Sequence, residues 1–365
     1  MEEIIYVPVD TLRRFTYQVF VGLGVPEEDA EICSEVLLAS DLRGIESHGV
    51  GRLKMYYDRI RQGILSPVTR FEIVKDTPTT AVVDGHHGMG HVIGYKSMEL
   101  AMKKAKEYGL GAVAVRNSSH FGIAGYYALM AAKEGMVGLA FTNARPSVAP
   151  TFSVEPMLGT NPIAFACPTD EPFPFCFDAA TSITQRGKIE VLARAGEPTP
   201  AGWVIDRQGK LATDTEAILA GIPKGLYALL PLGGKGEEMG GHKGYGLAVC
   251  IEILCAALQS GAFLKDLSGF AEDGSPRPHQ LGHFFLALDI EHFVSLPEFK
   301  RTAGEILRAL RAAEVSPDAE RIYTAGEKAF LAEQRIRREG VPINPNLRRN
   351  LRVMAEELGL AGYPF

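Results

Sequence analysis

The sequence predicts an α/β protein in which a mixed α/β domain is flanked by a helical domain built from both chain ends. Three observations carry that expectation. Residues 9–63 repeat their apolar positions at helical spacing. From Phe71 the texture changes to short strand-like runs divided by turn residues. From Leu296 the helical spacing returns. Chain termini usually lie close in space, so residues 1–75 and 296–365 are expected in one domain and 76–295 in the other. A chain of 365 residues exceeds the usual single core, which fits this division.

Taken in order, residues 9–23 read as an amphipathic helix with Val9 and Asp10 as staple and cap. Leu12, Phe15, Val19 and Leu23 share its apolar face. Pro26 followed by Glu27, Glu28 and Asp29 opens a second helix, because a first-turn proline and acids suit a helix N-terminus. Ala30, Cys33, Val36 and Leu37 form its buried side. A third helix is expected over 47–63, stopped by Pro67. Strands follow at 71–74 and 80–83, then a helix at 93–108, a strand at 111–115 and a helix from Tyr127. Further strands are expected at 137–142, 162–166 and 173–178. Residues 187–240 form a Gly/Pro-rich sub-region with a hairpin-like piece at 202–209. The strongly apolar helix at 243–258 is expected to be buried. A late strand is expected at 282–288, and the remainder is helical apart from a strand-like piece at 321–324.

Composition narrows the function. Hydrophobic residues at 46% and charged residues at 22% describe a folded globular chain. The net charge of −6 offers no general attraction to nucleic acid or to an anionic membrane. Apolar runs such as 247–258 are broken by Glu252 and are too short to cross a bilayer. Residues 1–3 carry no basic start of a secretory signal, so a cytoplasmic location is expected. The five cysteines contain no Cys-x-x-Cys pair and sit among apolar neighbours, which points to reduced, buried thiols.

Candidate chemistry begins at residues 116–126. A strand ends there in a polar turn holding His120, and a helix starts just beyond. Strand-to-helix turns gather ligand groups outside a sheet, so His120 is the first candidate. Upstream, a helix starting near Ser47 would place His48, Arg52 and Tyr56 on one face. A guanidinium, an imidazole and a phenol in line suit a small carboxylate substrate, with Arg52 as a bidentate clamp. The plainer reading is a solvated face with Tyr56 half-buried. Gly88-x-Gly90-x-x-x-Gly94 lies between a strand and a helix, the setting of a dinucleotide fingerprint. Residues 84–87 intervene, however, and Arg116 stands where an acid should end the next strand. A Gly-rich turn packing a helix on a sheet is the plainer reading. Gly159-Thr160-Asn161-Pro162 and Asp178-Ala179-Ala180-Thr181-Ser182 are small-residue turns past which a nucleotide could run. The glycines around Lys235, His242 and Lys243, just before an apolar helix, offer an anion site or a flexible surface loop.

Together these motifs resemble the type 2 malate/L-lactate dehydrogenase family, which includes sulfolactate, ureidoglycolate and diketogulonate oxidoreductases. The resemblance rests on Glu46-Ser47-His48-Gly49, 117–122, 159–162, 178–182, 241–246, and Tyr323 with Gly326-Glu327, in order along nearly the whole chain. It implies a non-Rossmann mixed-sheet NAD(P)-binding domain with a largely antiparallel sheet, and a homodimer. It implies hydride transfer between NAD, or NADP, and a small 2-hydroxy/2-oxo acid: malate/oxaloacetate or L-lactate/pyruvate. His120 matches a general acid/base that also touches cofactor, and Ser47 and His48 match a proton donor and relay. Arg52 matches the substrate-carboxylate arginine, with Tyr56, Thr160 and Asn161 completing the substrate contacts. Asn143, Asp178, Ala179, Ala180, His242, Lys243, Gly326 and Glu327 match cofactor contacts. Ala325 departs from the proline common in relatives, and the 233–238 insertion resembles the malate branch. No metal is expected. The rivals are the same chemistry on ureidoglycolate, sulfolactate or a cyclic imine acid; a metal-dependent lyase using His86, His87, His91 and Asp84; and a non-catalytic binding module.

Overall fold

The computed structural model describes residues 4–365; residues 1–3, where no basic leader start is read, lie outside the described residues. The chain opens with β1 (Ile5–Val7), α1 (Val9–Gly22), α2 (Glu27–Leu42) and α3 (Leu53–Arg61). It continues through β2 (Glu72–Asp76), β3 (Thr80–Asp84), α4 (Gly90–Tyr108), β4 (Leu110–Ser118) and α5 (Ala124–Lys133). Then come β5 (Met136–Thr142), β6 (Ile163–Cys167), β7 (Phe175–Ala179), α6 (Arg186–Ala195), β8 (Val204–Asp206), α7 (Thr215–Gly221) and β9 (Tyr227–Leu229). It closes with α8 (Gly241–Ala256), β10 (Leu281–Asp289), α9 (Leu296–Arg311), α10 (Glu327–Glu339), β11 (Val341–Ile343) and α11 (Pro345–Glu357).

Seven strands form the main sheet in the order β2-β3-β4-β10-β5-β6-β7. Only β3 and β4 run parallel, joined by α4; every other neighbour is antiparallel. The largely antiparallel, non-Rossmann sheet implied by the resemblance is therefore present. Side chains alternate along a strand, so consecutive residues of β10 serve opposite faces. Phe285 joins the core under α4 and α5, whereas Phe284 packs with Ile251 and Cys255 of α8. The sheet is thus covered on both sides around its central strand.

A second core gathers α1, α2 and α3 with Ile336 of α10 and Leu351 and Met354 of α11. β1 pairs antiparallel with β11, Ile5 opposite Ile343, which fastens the two chain ends together. The helical flank built from both ends is real. α9 lies elsewhere: its Leu296 and Phe299 pack near Val137, Cys167 and Ile290 beside the sheet. In the 187–240 sub-region, Ile189, Val204, Ile218 and Leu229 form a small core with Val148, Leu158 and Ala248.

Several local expectations need correction. Asp10 is a first-turn residue of α1 and makes no capping bond; Pro8 precedes the helix. The third helix does not start near Ser47. A turn over 46–49 comes first, then a 3-10 turn at Val50–Arg52, then α3. The cause is tertiary. The buried Asp41 carboxylate accepts the Val50 N–H at 2.8 Å and fills the space where any side chain at Gly49 would go. α8 is buried on one face only, with Leu247 and Ile253 about half-exposed. Residues 321–324 are coil rather than strand, with the Arg321 guanidinium 4.2 Å from the Tyr323 ring centre. The piece at 202–209 supplies β8, whose partner is β9, with a bridge from Ile205 back to Leu211.

Candidate active site

His120 stands in the turn between β4 and α5, held from both sides. Ser118 Oγ lies 2.7 Å from Nε2 of His283 on β10, anchoring the strand end. Ser119 Oγ accepts the Gly90 N–H at 2.9 Å and donates to the Gly88 carbonyl at 2.9 Å. A side chain at Gly90 would come within 2.5 Å of the His120 carbonyl oxygen and closer still to that of Ser119. The Gly-rich run is therefore the seat of the His120 turn. The start of α4 is filled by protein, which excludes the dinucleotide fingerprint there.

Nδ1 of His120 lies 2.5 Å from the Tyr56 hydroxyl and accepts the Gly122 N–H at 3.3 Å. The His48 ring stacks on His120, with centres 5.4 Å apart and planes at 22°. His48 Nδ1 is 2.9 Å from Ser47 Oγ, to which the Gln185 side chain donates at 3.3 Å. Ser47, His48, Tyr56 and His120 are thus brought together, although a turn rather than a helix face carries Ser47 and His48. Tyr56 is fully buried, with its hydroxyl against His120.

The Arg52 Nε donates to the Ser47 carbonyl at 2.6 Å, and the side chain lines a polar cavity of about 360 Å³ with Asp41, Glu46 and Asn344. His120 opens on a different cavity of about 530 Å³, lined by Arg59, Arg145, Arg186, Lys265, His279 and Thr160, and by no acid. Arg186 pairs with Glu190 and Lys265 with Glu155. Among the described residues Arg59 and Arg145 have no carboxylate partner. The reading of residue types missed both. Arg59 lies one turn after Tyr56 on α3, and Arg145 two residues after Asn143; those spacings were the only available signal.

Electrostatics follow from this crowding. Burial, then His48, Arg59, Arg52 and His91, push His120 well below the ordinary histidine value. Burial and then Arg52 bring His48 down to about 4. Burial, with Arg145 and Arg52 adding to it, lowers Arg59 to about 10. Burial followed by Arg59 and Arg145 lowers His279 to about 3. Both central imidazoles are thereby held neutral near pH 7, and the His120 pocket contains two guanidinia, Arg59 and Arg145, with no carboxylate partner among the described residues. Such a pocket is made for an anion.

The expected cofactor segments converge beside it. The Thr181 N–H donates to the Thr160 carbonyl at 2.9 Å and the Leu232 N–H to the Thr181 carbonyl at 2.8 Å, which stitches 159–162, 178–182 and 231–244 together. Exposed His242 and Lys243 stand in the first turn of α8, where N–H groups favour phosphate. Asp178 accepts the Gly125 N–H at 2.7 Å at the start of α5 and faces a cleft of about 380 Å³ with Gly326, Arg43 and Lys328. Burial raises its carboxyl to about 6, so it remains an acceptor suited to ribose hydroxyls near neutrality. Ala179 and Ala180, half-buried, continue from it. These residues fit a dinucleotide.

Three further residues, Asn143 and Glu327 expected at cofactor and Asn161 at substrate, have side chains bonded within the protein. Asn143 is fully buried; its Oδ1 accepts the Gly282 N–H at 2.8 Å and its amide donates to the Ala262 carbonyl at 3.4 Å. Asn161 is fully buried too, donating to Ala248 and, at 2.7 Å, to Glu252. Glu327 accepts the Thr324 N–H and pairs with Arg321, closing the start of α10. All three hold the scaffold. The histidines of the lyase reading do not converge, since His86 bonds Glu72 at 2.8 Å while His91 is buried with its ring centre 4.6 Å from that of Tyr56.

Known proteins share this sequence and fold. Residues 7–352 match the family model described as malate/L-lactate dehydrogenase. Malate dehydrogenase of Pyrococcus horikoshii is 46% identical over 361 residues, 99% of this chain and 98% of that enzyme. L-sulfolactate dehydrogenase of Methanocaldococcus jannaschii is 39% identical over 96% of this chain and 94% of its own length. The crystal structure of malate dehydrogenase from Entamoeba histolytica superposes with a TM-score of 0.96 at 43% identity, covering 100% of both chains. With its non-Rossmann sheet and a histidine facing a pocket lined by cationic side chains, this chain belongs to the malate/L-lactate dehydrogenase family and is a hydroxy-acid dehydrogenase.

Proposed function

We propose that the physiological pair is a dianionic 2-hydroxy acid and its 2-oxo acid, malate and oxaloacetate first, with NAD as the carrier. The observation behind this reading is the cavity at His120, where Arg59 and Arg145 crowd without a carboxylate partner. Two guanidinia can hold two acid groups, each by paired hydrogen bonds. A monoanion such as pyruvate would leave one cation uncompensated. The Pyrococcus and Entamoeba relatives named malate dehydrogenase support this reading.

A bound nicotinamide supplies the hydride. His120 supplies the proton: a dianion beside the ring offsets the cations that keep it neutral, so the imidazolium forms where an oxo acid needs it. His48, stacked on His120 and bonded to Ser47, is placed to share that proton. The Asp178 carboxylate favours hydroxyl donors over a further phosphate, which supports NAD over NADP. The half-exposed apolar face of α8 suits a homodimer, and a cytoplasmic setting fits both the reduced thiols and the reaction.

Sulfolactate, also a dianion, is the second reading, supported by the Methanocaldococcus relative. Initial rates with oxaloacetate, sulfopyruvate and pyruvate, each with NADH and NADPH, separate these readings. Oxaloacetate or sulfopyruvate is expected to exceed pyruvate in kcat/KM by about 100-fold or more, because a site built for a polar group rejects the analogue lacking it. Equal rates with pyruvate would end the dianion reading.

A further inference from the structure

β10 runs between β4 and β5, so the two strands that lead to the His120 cavity flank a single strand. β4 ends at Ser118, two residues before His120, and β5 ends at Thr142, three residues before Arg145. His283 of β10 reaches both ends at once. Its Nε2 lies 2.7 Å from Ser118 Oγ and its Nδ1 2.8 Å from Thr142 Oγ1. Its ring also stacks on Phe121, the neighbour of His120, with centres 4.4 Å apart and planes at 8°. The register of β4 on β10 slips between Leu281 and His283, an irregularity of the kind that bends a strand and re-aims a side chain. The imidazole therefore supplies a tie where the regular pairing of the strand before His120 lapses. A hydroxyl both donates and accepts, so a neutral ring with one hydrogen can bond serine and threonine together. His283 is fully buried, and burial brings it down to about 3, so the ring stays neutral near pH 7.

We propose that His283 is a positioning residue that fixes the spacing between His120 and Arg145 by tying together the strand ends from which they emerge. This rests on the readings of His120 as the proton-transfer group and of Arg145 as a carboxylate contact. The oxo oxygen and the carboxylates belong to one small molecule, so the groups that meet them must be held at one spacing. The Ser118 bond governs the His120 side and the Thr142 bond the Arg145 side. A misplacement of about 1 Å in such an arrangement can cost on the order of 100-fold in rate.

Each bond can be removed separately, because an Asn amide stands close to the place of Nδ1 and a Gln amide close to that of Nε2. His283→Asn keeps the Thr142 bond and is expected to lower kcat about tenfold or more, with the KM for the oxo acid moving less than about threefold. His283→Gln keeps the Ser118 bond and is expected to raise that KM about tenfold, with kcat moving less than about threefold. A triple variant, His283→Phe with Ser118→Ala and Thr142→Val, separates placement from stability. It keeps the ring on Phe121 and leaves neither hydroxyl buried and unpaired, so it is expected to melt within a few degrees of the parent. Its kcat/KM should nonetheless fall about tenfold or more. A triple variant with kcat/KM within about twofold of the parent, or Asn and Gln variants that lose kcat and KM in the same proportion, overturns the proposal. If the triple variant melts far below the parent, the Asn and Gln variants decide alone. Arg145→Met, measured alongside with whichever oxo acid turns over best, reports the carboxylate reading by itself. An unchanged KM there would sink that reading and with it the Arg145 half of the proposal, while the kcat of His283→Asn still decides the His120 half.

Discussion

On the proposed reading, Arg59 and Arg145 share the carboxylate contacts first expected of Arg52. Arg59→Met keeps most of the side-chain length and removes the charge. It is expected to raise the KM for oxaloacetate by roughly 10- to 100-fold, the loss of a charge-assisted pair worth about 1.5–3 kcal/mol, with NADH binding unchanged by fluorescence titration. An unaltered KM would move the carboxylate contact elsewhere. Asp41 carries a different consequence. Burial raises its carboxyl to about 8, despite the Val50 N–H that favours the charged form. The folded state therefore binds a proton that the unfolded chain releases at the ordinary carboxylate value, and stability falls as pH rises from about 4 to 8. Asp41→Asn is expected to flatten that decline, melting a few degrees above the parent at pH 8.5 and level with it at pH 5. Parallel melting curves at both pH values would refute this. At this scale the sequence disclosed His120 because its strand, turn and helix are consecutive. Arg59 and Arg145 stayed hidden because only the closed fold brings α3 and the segment after β5 to one cavity.

The run from Gly88 to Gly94 shows how an element can be read by period and missed by purpose. Its glycine spacing matches a nucleotide loop, yet Gly90 exists so that the Ser119–His120 backbone can cross the start of α4. In an open helix Gly→Ala stabilises by about 0.4–1 kcal/mol. Gly90→Ala is expected to do the opposite here, costing about 1–3 kcal/mol by overpacking and lowering kcat at least tenfold as the His120 turn shifts. Chemical denaturation and steady-state kinetics check both. The strands of the main sheet were legible because alternation is a local signal, and α1, α2 and α4 because helical spacing is another. The start of α3 was not, since the buried Asp41 carboxylate decides where that helix can begin. β1 and β11, with three residues each, hold no period to read.

At the scale of the molecule, the order helical, mixed, helical foretold the architecture, while α9 shows its limit. Helical spacing identified it as a helix and could not say that it packs beside the sheet. The apolar content of α8 likewise predicted burial without saying on how many sides. Its Ile251 and Cys255 meet the sheet, while Ile253 remains about half-exposed. The pairing of β1 with β11 sets an order of events during synthesis. Every strand of the main sheet has left the ribosome once Asp289 emerges, so the sheet core can close early. The first three helices have by then been waiting longest: they can pack on one another and on Met89 and Val92, but the part of their core filled by Val341, Ile343, Leu351 and Met354 stays open until those residues arrive. A chain ended after Gly340 is expected to show amide protection in β4, β5 and β10 and rapid exchange throughout α1 and α3. Equal protection in both regions would contradict this order. The earliest-made part of the protein is thus the last to be finished, and until then it is the part a chaperone has most reason to hold.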